Sequence, residues 1–214
     1  MKYINIYQKI YKKVYKNLVF SIYQNNLYVA DNLGFIYSIN LLNGKIEWIK
    51  NHSIPLKSDI KIYDNKIFLI NQDNRIICFN AKDGTKIWDI RTISSFIKLQ
   101  NFLSSAVSKQ GDLIVMNSTG DLLKTKTNNG KIISSTNILK VLKKGKQNTV
   151  ITGYIMGSGK IYSTTANGYL IVSSAVSGKV ENFKKIGYPI ASSPIINDGK
   201  LYILTKNSRI LGFN

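Results

Sequence analysis

A short pattern of turn, apolar strand-like segment and second turn occurs five times along this chain. The first apolar residue of each copy marks its position: Leu27, Ile67, Leu113, Ile161 and Leu201. These residues are 40, 46, 48 and 40 positions apart, and the glycines of a later turn repeat the first three intervals: Gly44, Gly84, Gly130 and Gly178. Because a period of this length is typical of repeat architectures, we expect one structural unit to be used several times.

Each copy predicts a set of antiparallel strands. The segments between the turns are rich in Ile, Leu, Val, Tyr and Phe, which is the composition of strands. Pairs such as Asn43-Gly44 and Asp83-Gly84 favour the positive φ of tight hairpins. The segment before the first turn, for example residues 19–23 or 191–196, completes a four-stranded unit. The sequence therefore predicts an all-β fold, a β-propeller of four-stranded antiparallel blades with about five blade units.

Two tryptophans follow the later turn at a fixed distance. Trp48 and Trp88 stand four residues after Gly44 and Gly84. Together with the strand-turn-strand pattern before it, this spacing resembles the repeat of the PQQ-type β-propellers, from about Phe20 to the end of the chain. Ser134 and Asn182 occupy the tryptophan position in the later copies, which predicts weaker packing at the outer edge of those blades.

The resemblance also bears on catalysis and cofactors. Enzymatic members of the family hold the quinone with adjacent cysteines, a tryptophan floor and acidic Ca²⁺ ligands. This chain has one cysteine, Cys78, and its two tryptophans belong to the repeat. It is more similar to the non-enzymatic BamB family, whose final strands look like residues 198–213. That resemblance implies a scaffold for protein–protein interaction in outer-membrane β-barrel protein assembly, with no catalytic residue, cofactor or metal.

The same resemblance supplies one candidate partner site. The BamB family contacts a β-barrel assembly subunit through a loop, and Leu56 and Lys57 stand in a similar position after the first tryptophan strand. Lysine here replaces an arginine and lacks the two-pronged geometry of a guanidinium. Two other functions are left open: a degenerate fragment of a PQQ-dependent dehydrogenase, and a basic propeller that binds a membrane surface or a polyanion.

Charge argues for loose attraction and against specific nucleic-acid recognition. The formal net charge is +19, and the chain has only three arginines, Arg75, Arg91 and Arg209, among its 30 basic residues. The lysines are spread through turns and strand faces. The positive electrostatic potential of widely spread lysines attracts anionic surfaces without a defined geometry. Sequence-specific recognition of bases relies instead on clustered side chains.

The N-terminal segment, residues 1–18, is basic and rich in tyrosine. Its apolar residues have helical spacing, which suits an amphipathic helix on a membrane. Part of it is also suited to pair with the last copy as a closing outer strand, which is the favoured interpretation. Family resemblance implies a periplasmic, outer-membrane-associated location. The segment shows neither a signal peptide nor a cysteine for lipidation, and the family has eight blades. Cytoplasmic retention and a truncated gene product are therefore alternatives.

The remaining polar residues predict structural roles. Seven aspartates lie in or beside predicted turns, where carboxylates bond backbone amides: Asp31, Asp64, Asp73, Asp83, Asp112, Asp121 and Asp198. His52 is the single histidine, so no multi-histidine metal site is expected. Cys78 is expected to be a buried, inert thiol. Residues 153–160 are glycine-rich but lack phosphate-loop spacing.

Overall fold

The computed structural model describes residues 17–52, 54–55, 58–71, 73, 75–91, 105–108, 110–117, 119–146 and 149–214. The chain divides into two compact units, Met1–Ser94 and Ser95–Asn214. Nearly all of the described regular structure is β-strand, and the strands form small antiparallel sheets in which neighbours in sequence are neighbours in the sheet.

The first unit contains two four-stranded sheets among its described residues. Sheet 1 consists of β1 (Leu18–Tyr23), β2 (Asn26–Asp31), β3 (Phe35–Asn40) and β4 (Ile46–Asn51). Sheet 2 consists of β5 (Lys61–Tyr63), β6 (Lys66–Ile70), β7 (Arg75–Asn80) and β8 (Lys86–Arg91).

The second unit contains two four-stranded sheets and one three-stranded sheet among its described residues. Sheet 3 consists of β9 (Ser105–Val107), β10 (Asp112–Met116), β11 (Asp121–Lys126) and β12 (Ile132–Asn137). A 3₁₀ helix, Ile138–Lys146, follows. Sheet 4 consists of β13 (Ile151–Gly157), β14 (Lys160–Thr165), β15 (Tyr169–Ser174) and β16 (Val180–Lys185), and sheet 5 of β17 (Ile195–Asn197), β18 (Lys200–Leu204) and β19 (Ile210–Phe213).

The second and third strands of a sheet carry most of the core. In sheet 1, β2 and β3 are largely buried, whereas β4 alternates between half-buried and exposed residues. In the first unit, Ile36 packs in one cluster with Ile67 and Leu69 of sheet 2. In the second unit, one cluster joins sheet 3, the 3₁₀ helix and sheet 4, and another joins sheets 4 and 5. Within each unit, neighbouring sheets thus bury apolar faces against one another.

The turn between the second and third strands is closed by a buried side-chain oxygen in every copy. The side chain accepts a hydrogen bond from the backbone N–H four residues later, over 2.8–3.1 Å. The accepting residues are Asp31, Asn71, Asn117, Thr165 and Thr205. This bond ties the end of the second strand to the start of the third.

A second regularity lies between the third and fourth strands. Each four-stranded sheet has a register shift there, at Ser38/Ile39, Cys78/Phe79, Lys124/Thr125 and Val172/Ser173. Each fourth strand is preceded by a turn glycine with φ between +69° and +71°: Gly44, Gly84, Gly130 and Gly178. The outer hairpin therefore has one geometry in all four copies.

Several expectations change in detail. The strand expected over residues 191–196 begins at Ile195, after Pro194, because proline has no N–H to give to a strand ladder. The 3₁₀ helix was not predicted. Its residues account for much of the long interval between the third and fourth copies, and its Ile138 and Leu139 side chains are buried. Leu18 belongs to β1, while residues 1–16 of the N-terminal segment lie outside the described residues.

Aspartate roles are partly as expected. The Asp31 and Asp83 carboxylates accept backbone N–H bonds within their turns. Asp112 was expected to do the same, and that expectation is wrong. Its carboxylate is buried and pairs with Lys124 at 3.2 Å and Lys126 at 2.9 Å. Burial alone would raise its pKa, but the two ammonium groups hold the pKa below its usual range.

Candidate functional site

The most informative local geometry is a row of three side chains that crosses the second, third and fourth strands. In sheet 1 the strand register aligns Tyr28, Ser38 and Trp48. The Tyr28 and Trp48 rings lie 6.0 Å apart between centroids. The indole fills the space between sheet 1 and the outer hairpin of sheet 2, both within the first unit.

Two contacts hold the Trp48 indole in place, and Tyr28 shares the acceptor of one of them. Its Nε1–H donates a hydrogen bond to the Ala81 carbonyl over 3.1 Å, and the Tyr28 hydroxyl donates to the same oxygen over 3.1 Å. Gly84 lies against the flat face of the ring: a Cβ there would come 2.7 Å from Cε3 of Trp48. The position thus requires glycine both for its positive φ and for the close approach.

Sheet 2 repeats the row with Phe68, Cys78 and Trp88. The Phe68 and Trp88 rings are 5.8 Å apart. Cys78 is fully buried, and burial raises the pKa of its thiol to about 12. The thiol therefore stays protonated and unreactive near neutral pH.

The Cys78 and His52 side chains do not form a catalytic pair. The His52 ring packs against Phe79, with centroids 6.5 Å apart and the ring planes tilted by 54°. Cys78 and Phe79 are consecutive residues of β7 and pair without a register shift with β6, so their side chains point to opposite faces of the sheet. Burial lowers the pKa of His52 to about 4, although the nearby Asp31 carboxylate opposes this shift. His52 is therefore a neutral packing residue.

The His52 ring borders a cavity of about 620 Å³ inside the first unit. Its wall includes Arg75, Lys86 and Asp89. These side chains bind one another, since Asp89 receives hydrogen bonds from both Arg75 and Lys86. Those bonds lower the pKa of Asp89, chiefly through Arg75. The charges that line this cavity thus neutralise one another in part.

In sheet 3, a lysine takes over the contact that the indole makes in sheet 1. The row is Ile114, Lys124 and Ser134. Lys124 extends from the middle strand and donates to the Val176 carbonyl in the outer hairpin of sheet 4, over 3.4 Å. A polar link therefore joins the two sheets near Ser134, and the weaker packing expected there stays a prediction.

In sheet 4, the same position is open. The row is Tyr162, Val172 and Asn182, and all three line a cavity of about 280 Å³ between sheets 4 and 5. Valine is too short to act as Lys124 does, and asparagine is too small to replace an indole. Asn182 thus borders a cavity, and the three-stranded sheet 5 opposite it has no outer hairpin among the described residues.

The structure does not describe all of the site residues that were proposed from the sequence. Leu56 and Lys57 lie outside the described residues. Among the described residues no group of three or more His, Cys, Asp or Glu side chains could hold a metal ion, and no helix there is long and apolar enough to cross a bilayer. The missing tryptophan alone did not predict the cavity, because Ser134 lacks the tryptophan as well and Lys124 bridges the sheets there.

Comparisons with known proteins agree with this geometry. The family model described as outer membrane protein assembly factor BamB matches residues 16–149. The BamB of Moranella endobia is 22% identical over 190 residues, which cover 87% of this chain and 48% of that protein. The chain thus spans about half the length of the curated relatives it matches.

Solved structures establish the fold. The crystal structure of BamB from Moraxella catarrhalis matches 89% of this chain and 58% of its own, with a TM-score of 0.70 and 11% identity. The Cps50 (Swd1) β-propeller domain of Myceliophteria thermophila matches 93% of this chain and 68% of its own, with a TM-score of 0.73 and 12% identity. The predicted all-β propeller architecture is confirmed, as a partial propeller.

Proposed function

Because this chain belongs to the family of the outer membrane protein assembly factor BamB, we propose that it is a non-catalytic β-propeller scaffold for outer-membrane β-barrel protein assembly. The observation that carries the proposal is the family match over residues 16–149, which include both tryptophan rows. On this proposal the partners are proteins, among them a β-barrel assembly subunit, and the chain acts at the periplasmic face of the outer membrane.

The roles of the polar side chains support a binding function over a catalytic one. The Asp112 carboxylate forms salt bridges with two lysines, and the Asp89 carboxylate accepts hydrogen bonds from Arg75 and Lys86. Cys78 is buried as a neutral thiol. Catalytic acids and nucleophiles need an accessible position and a pKa near the working pH, and these groups have structural partners instead.

Exposed apolar residues on the first and fourth strands offer surface for protein contact. Phe20 and Ile22 of β1 and Ile49 of β4 are exposed, at 57%, 66% and 48%. These residues lie on one sheet of the first unit. Phe20 and Ile22 lie two residues apart on the edge strand β1, where they offer a small contiguous apolar surface of the kind that binds proteins, whereas Ile49 lies on the opposite edge strand.

Affinity capture tests this function. The tagged full-length chain, cross-linked in envelope extracts of its host, is expected to retain a β-barrel assembly subunit identified by mass spectrometry. The double substitution Leu56→Ala/Lys57→Ala is expected to reduce that yield. A matched control in an exposed hairpin, Leu42→Ala/Lys45→Ala, should leave it unchanged.

A dye-reduction assay supplies the opposing result. If the purified chain reduces a dye when PQQ and Ca²⁺ are added, and captures no assembly subunit, the scaffold proposal is wrong and the dehydrogenase alternative stands. If capture succeeds but the Leu56→Ala/Lys57→Ala protein captures as well as the unchanged chain, the scaffold function holds and the loop assignment is rejected.

A further inference from the structure

The connection that follows the fourth strand starts in the same way in both units. The first residue after β4 donates its N–H to the carbonyl of a turn glycine in its own sheet, His52 to Gly34 over 2.7 Å. The first residue after β12 does the same, Ile138 to Gly120 over 2.9 Å. The two connections thus leave their sheets at matching positions, and the spaces that they enter can be compared.

In the second unit, the 3₁₀ helix fills the groove between sheets 3 and 4. It contacts β11 of sheet 3 and β16 of sheet 4. Its Leu139 and Leu142 side chains belong to the buried cluster that joins the two sheets. On sheet 4 the wall of the groove is apolar, since the same cluster includes or contacts Tyr169, Ile171 and Val180. A short helix of this chain thus fills such a groove with aliphatic side chains.

In the first unit, the corresponding groove between sheets 1 and 2 holds the cavity of about 620 Å³. Its wall on sheet 2 comes from residues at matching positions. Arg75 stands where Tyr169 does, because each donates its N–H to the side chain that closes the preceding turn. Lys86 stands where Val180 does, two residues after the hairpin glycine. The groove that the helix fills in the second unit is therefore a cavity in the first.

The floor of this cavity is as apolar as the groove in the second unit. Ile77 lies two residues after Arg75, as Ile171 lies two residues after Tyr169, and both isoleucines are buried. Phe79 adds a buried aromatic ring to the floor. Aliphatic side chains that enter from a partner would therefore exchange water for apolar contacts, which is favourable.

The rim of the cavity is basic where the groove in the second unit is apolar. Lys50, Arg75 and Lys86 line it, together with two carboxylates, Asp73 and Asp89. Both Arg75 and Lys86 already bind Asp89. Lys50 forms no salt bridge with any described residue, so its ammonium group is available to a carboxylate that arrives from outside. The rim thus favours a ligand with acidic groups.

We propose that the cavity between β4 of sheet 1 and strands β7 and β8 of sheet 2 is a docking groove for a short helical segment of a protein partner, with aliphatic residues flanked by acidic ones. The helical, aliphatic character of the occupant is inferred from the 3₁₀ helix that fills the matching groove between sheets 3 and 4. Its acidic flanks are inferred from the basic rim. This proposal deepens the scaffold function, and rests on it only in taking the partner to be a protein.

Peptides copied from the 3₁₀ helix test the groove on the full chain. The acidic probe is a fluorescein-labelled peptide with the sequence of residues 137–146, in which glutamate replaces the four lysines: Lys140, Lys143, Lys144 and Lys146. One control peptide has the unchanged basic sequence, and the other is the acidic probe with alanine in place of Leu139 and Leu142. Fluorescence polarisation is expected to show at least about tenfold tighter binding of the acidic probe than of either control. The affinity should fall as salt is added.

Two charge reversals locate the binding. Lys50→Glu is expected to weaken binding of the acidic probe at least about tenfold and to strengthen binding of the basic control peptide, because it reverses a charge on the rim. Lys131→Glu changes the net charge equally at an exposed residue of the second unit, and should leave both affinities within about twofold. Circular dichroism checks the fold of each variant, and the comparison of the three peptides on the unchanged chain needs no variant at all.

Three results would overturn the proposal. Equal affinity for the acidic probe and its alanine control would reduce the attraction to charge alone. A folded Lys50→Glu protein that binds the acidic probe as tightly as the unchanged chain would place the binding elsewhere. Binding of the probe only after Leu56→Ala would show that the groove belongs to the chain's own loop. Envelope capture is a separate measurement, so the groove and the scaffold function can fail independently.

Discussion

At the scale of single residues, the outer hairpin shows how little freedom a repeat position has. Gly84 must adopt φ of +69° and must also accept the Trp48 ring at close range. Gly159 has a similar φ of +75°, but no atom lies within 4 Å of where its Cβ would be. The two glycines therefore separate backbone strain from steric clash.

Replacing each glycine by alanine should measure the two effects. Gly159→Ala carries only the left-handed backbone strain, which costs about 1–2 kcal/mol. Gly84→Ala carries the same strain and also displaces the Trp48 ring, for which a further 1–3 kcal/mol is typical. Urea denaturation should therefore give a larger loss of unfolding free energy for Gly84→Ala. Equal losses would mean that the ring moves aside without cost.

His52 predicts a pH dependence of stability with a defined sign. Its pKa falls from 6.5 in the unfolded chain to about 4 in the fold. Above pH 6.5 both states are neutral and His52 contributes no pH dependence. As pH falls from 6.5 to 4, His52 binds a proton in the unfolded state but stays neutral in the folded state. The free energy of unfolding therefore drops by about 2–3 kcal/mol.

The variant His52→Phe keeps a ring against Phe79 and cannot titrate. Stability curves of both proteins between pH 8 and pH 4 share every other titrating group, so their difference isolates His52. That difference should be flat above pH 6.5 and should grow in favour of the variant below it. A difference that stays constant across the range would show that the pKa of His52 is the same in the folded and the unfolded chain.

At the scale of strands and sheets, the four copies solve one problem in different ways. Sheets 1 and 2 carry tryptophan in the fourth strand, sheet 3 uses Lys124 of its third strand, and sheet 4 leaves a cavity. The register makes this comparison reliable, because the shift between third and fourth strands falls at the same place in all four sheets.

The bridging role of Lys124 can be tested against its neighbour Lys126. Both pair with the Asp112 carboxylate, but the Lys124 side chain is 13% exposed and also bonds the Val176 carbonyl, whereas Lys126 is 55% exposed. Lys124→Ala should cost about 1–3 kcal/mol, because it removes the less exposed of the two charged partners of the buried Asp112 carboxylate together with the bond to Val176. Lys126→Ala should cost less than about 1 kcal/mol. Thermal or urea unfolding measures both, and similar losses would contradict the bridge.

Local pattern predicted the strands better than it predicted what lies between them. Turn residues and apolar runs placed the segments well, because both act over a few neighbouring residues. The 3₁₀ helix at Ile138 was missed, because a segment this short has too few turns for its periodicity to stand out. The oxygen of Thr165 that closes a turn was also missed, since threonine does not signal a turn as strongly as asparagine or aspartate does.

At the scale of the whole molecule, net charge is the property that acts at a distance. The chain carries +19, and five of its 27 lysines lie in residues 1–16. A charge spread this widely should attract anionic surfaces weakly and without a defined site. Sequence composition alone is enough to predict this property, because it depends on totals and not on contacts.

Binding to lipid vesicles should show this behaviour. Vesicles of an anionic phospholipid are expected to sediment the protein at low ionic strength and to release it as salt approaches about 0.5 M, where screening is strong. A chain without residues 1–16 should still bind, with reduced affinity, because most of the lysines remain. Complete loss on that deletion would instead assign the attraction to the N-terminal segment.

Both tryptophans of the chain lie in the first of its two compact units, and the second unit has none. Tryptophan emission is therefore a natural reporter of one half of the molecule, whereas far-ultraviolet circular dichroism sees the strands of both halves. If the two signals change together during denaturation, the halves unfold as one cooperative body; if emission changes separately, they melt as independent parts. The uneven distribution of indoles thus makes the coupling between the two halves observable without any added label.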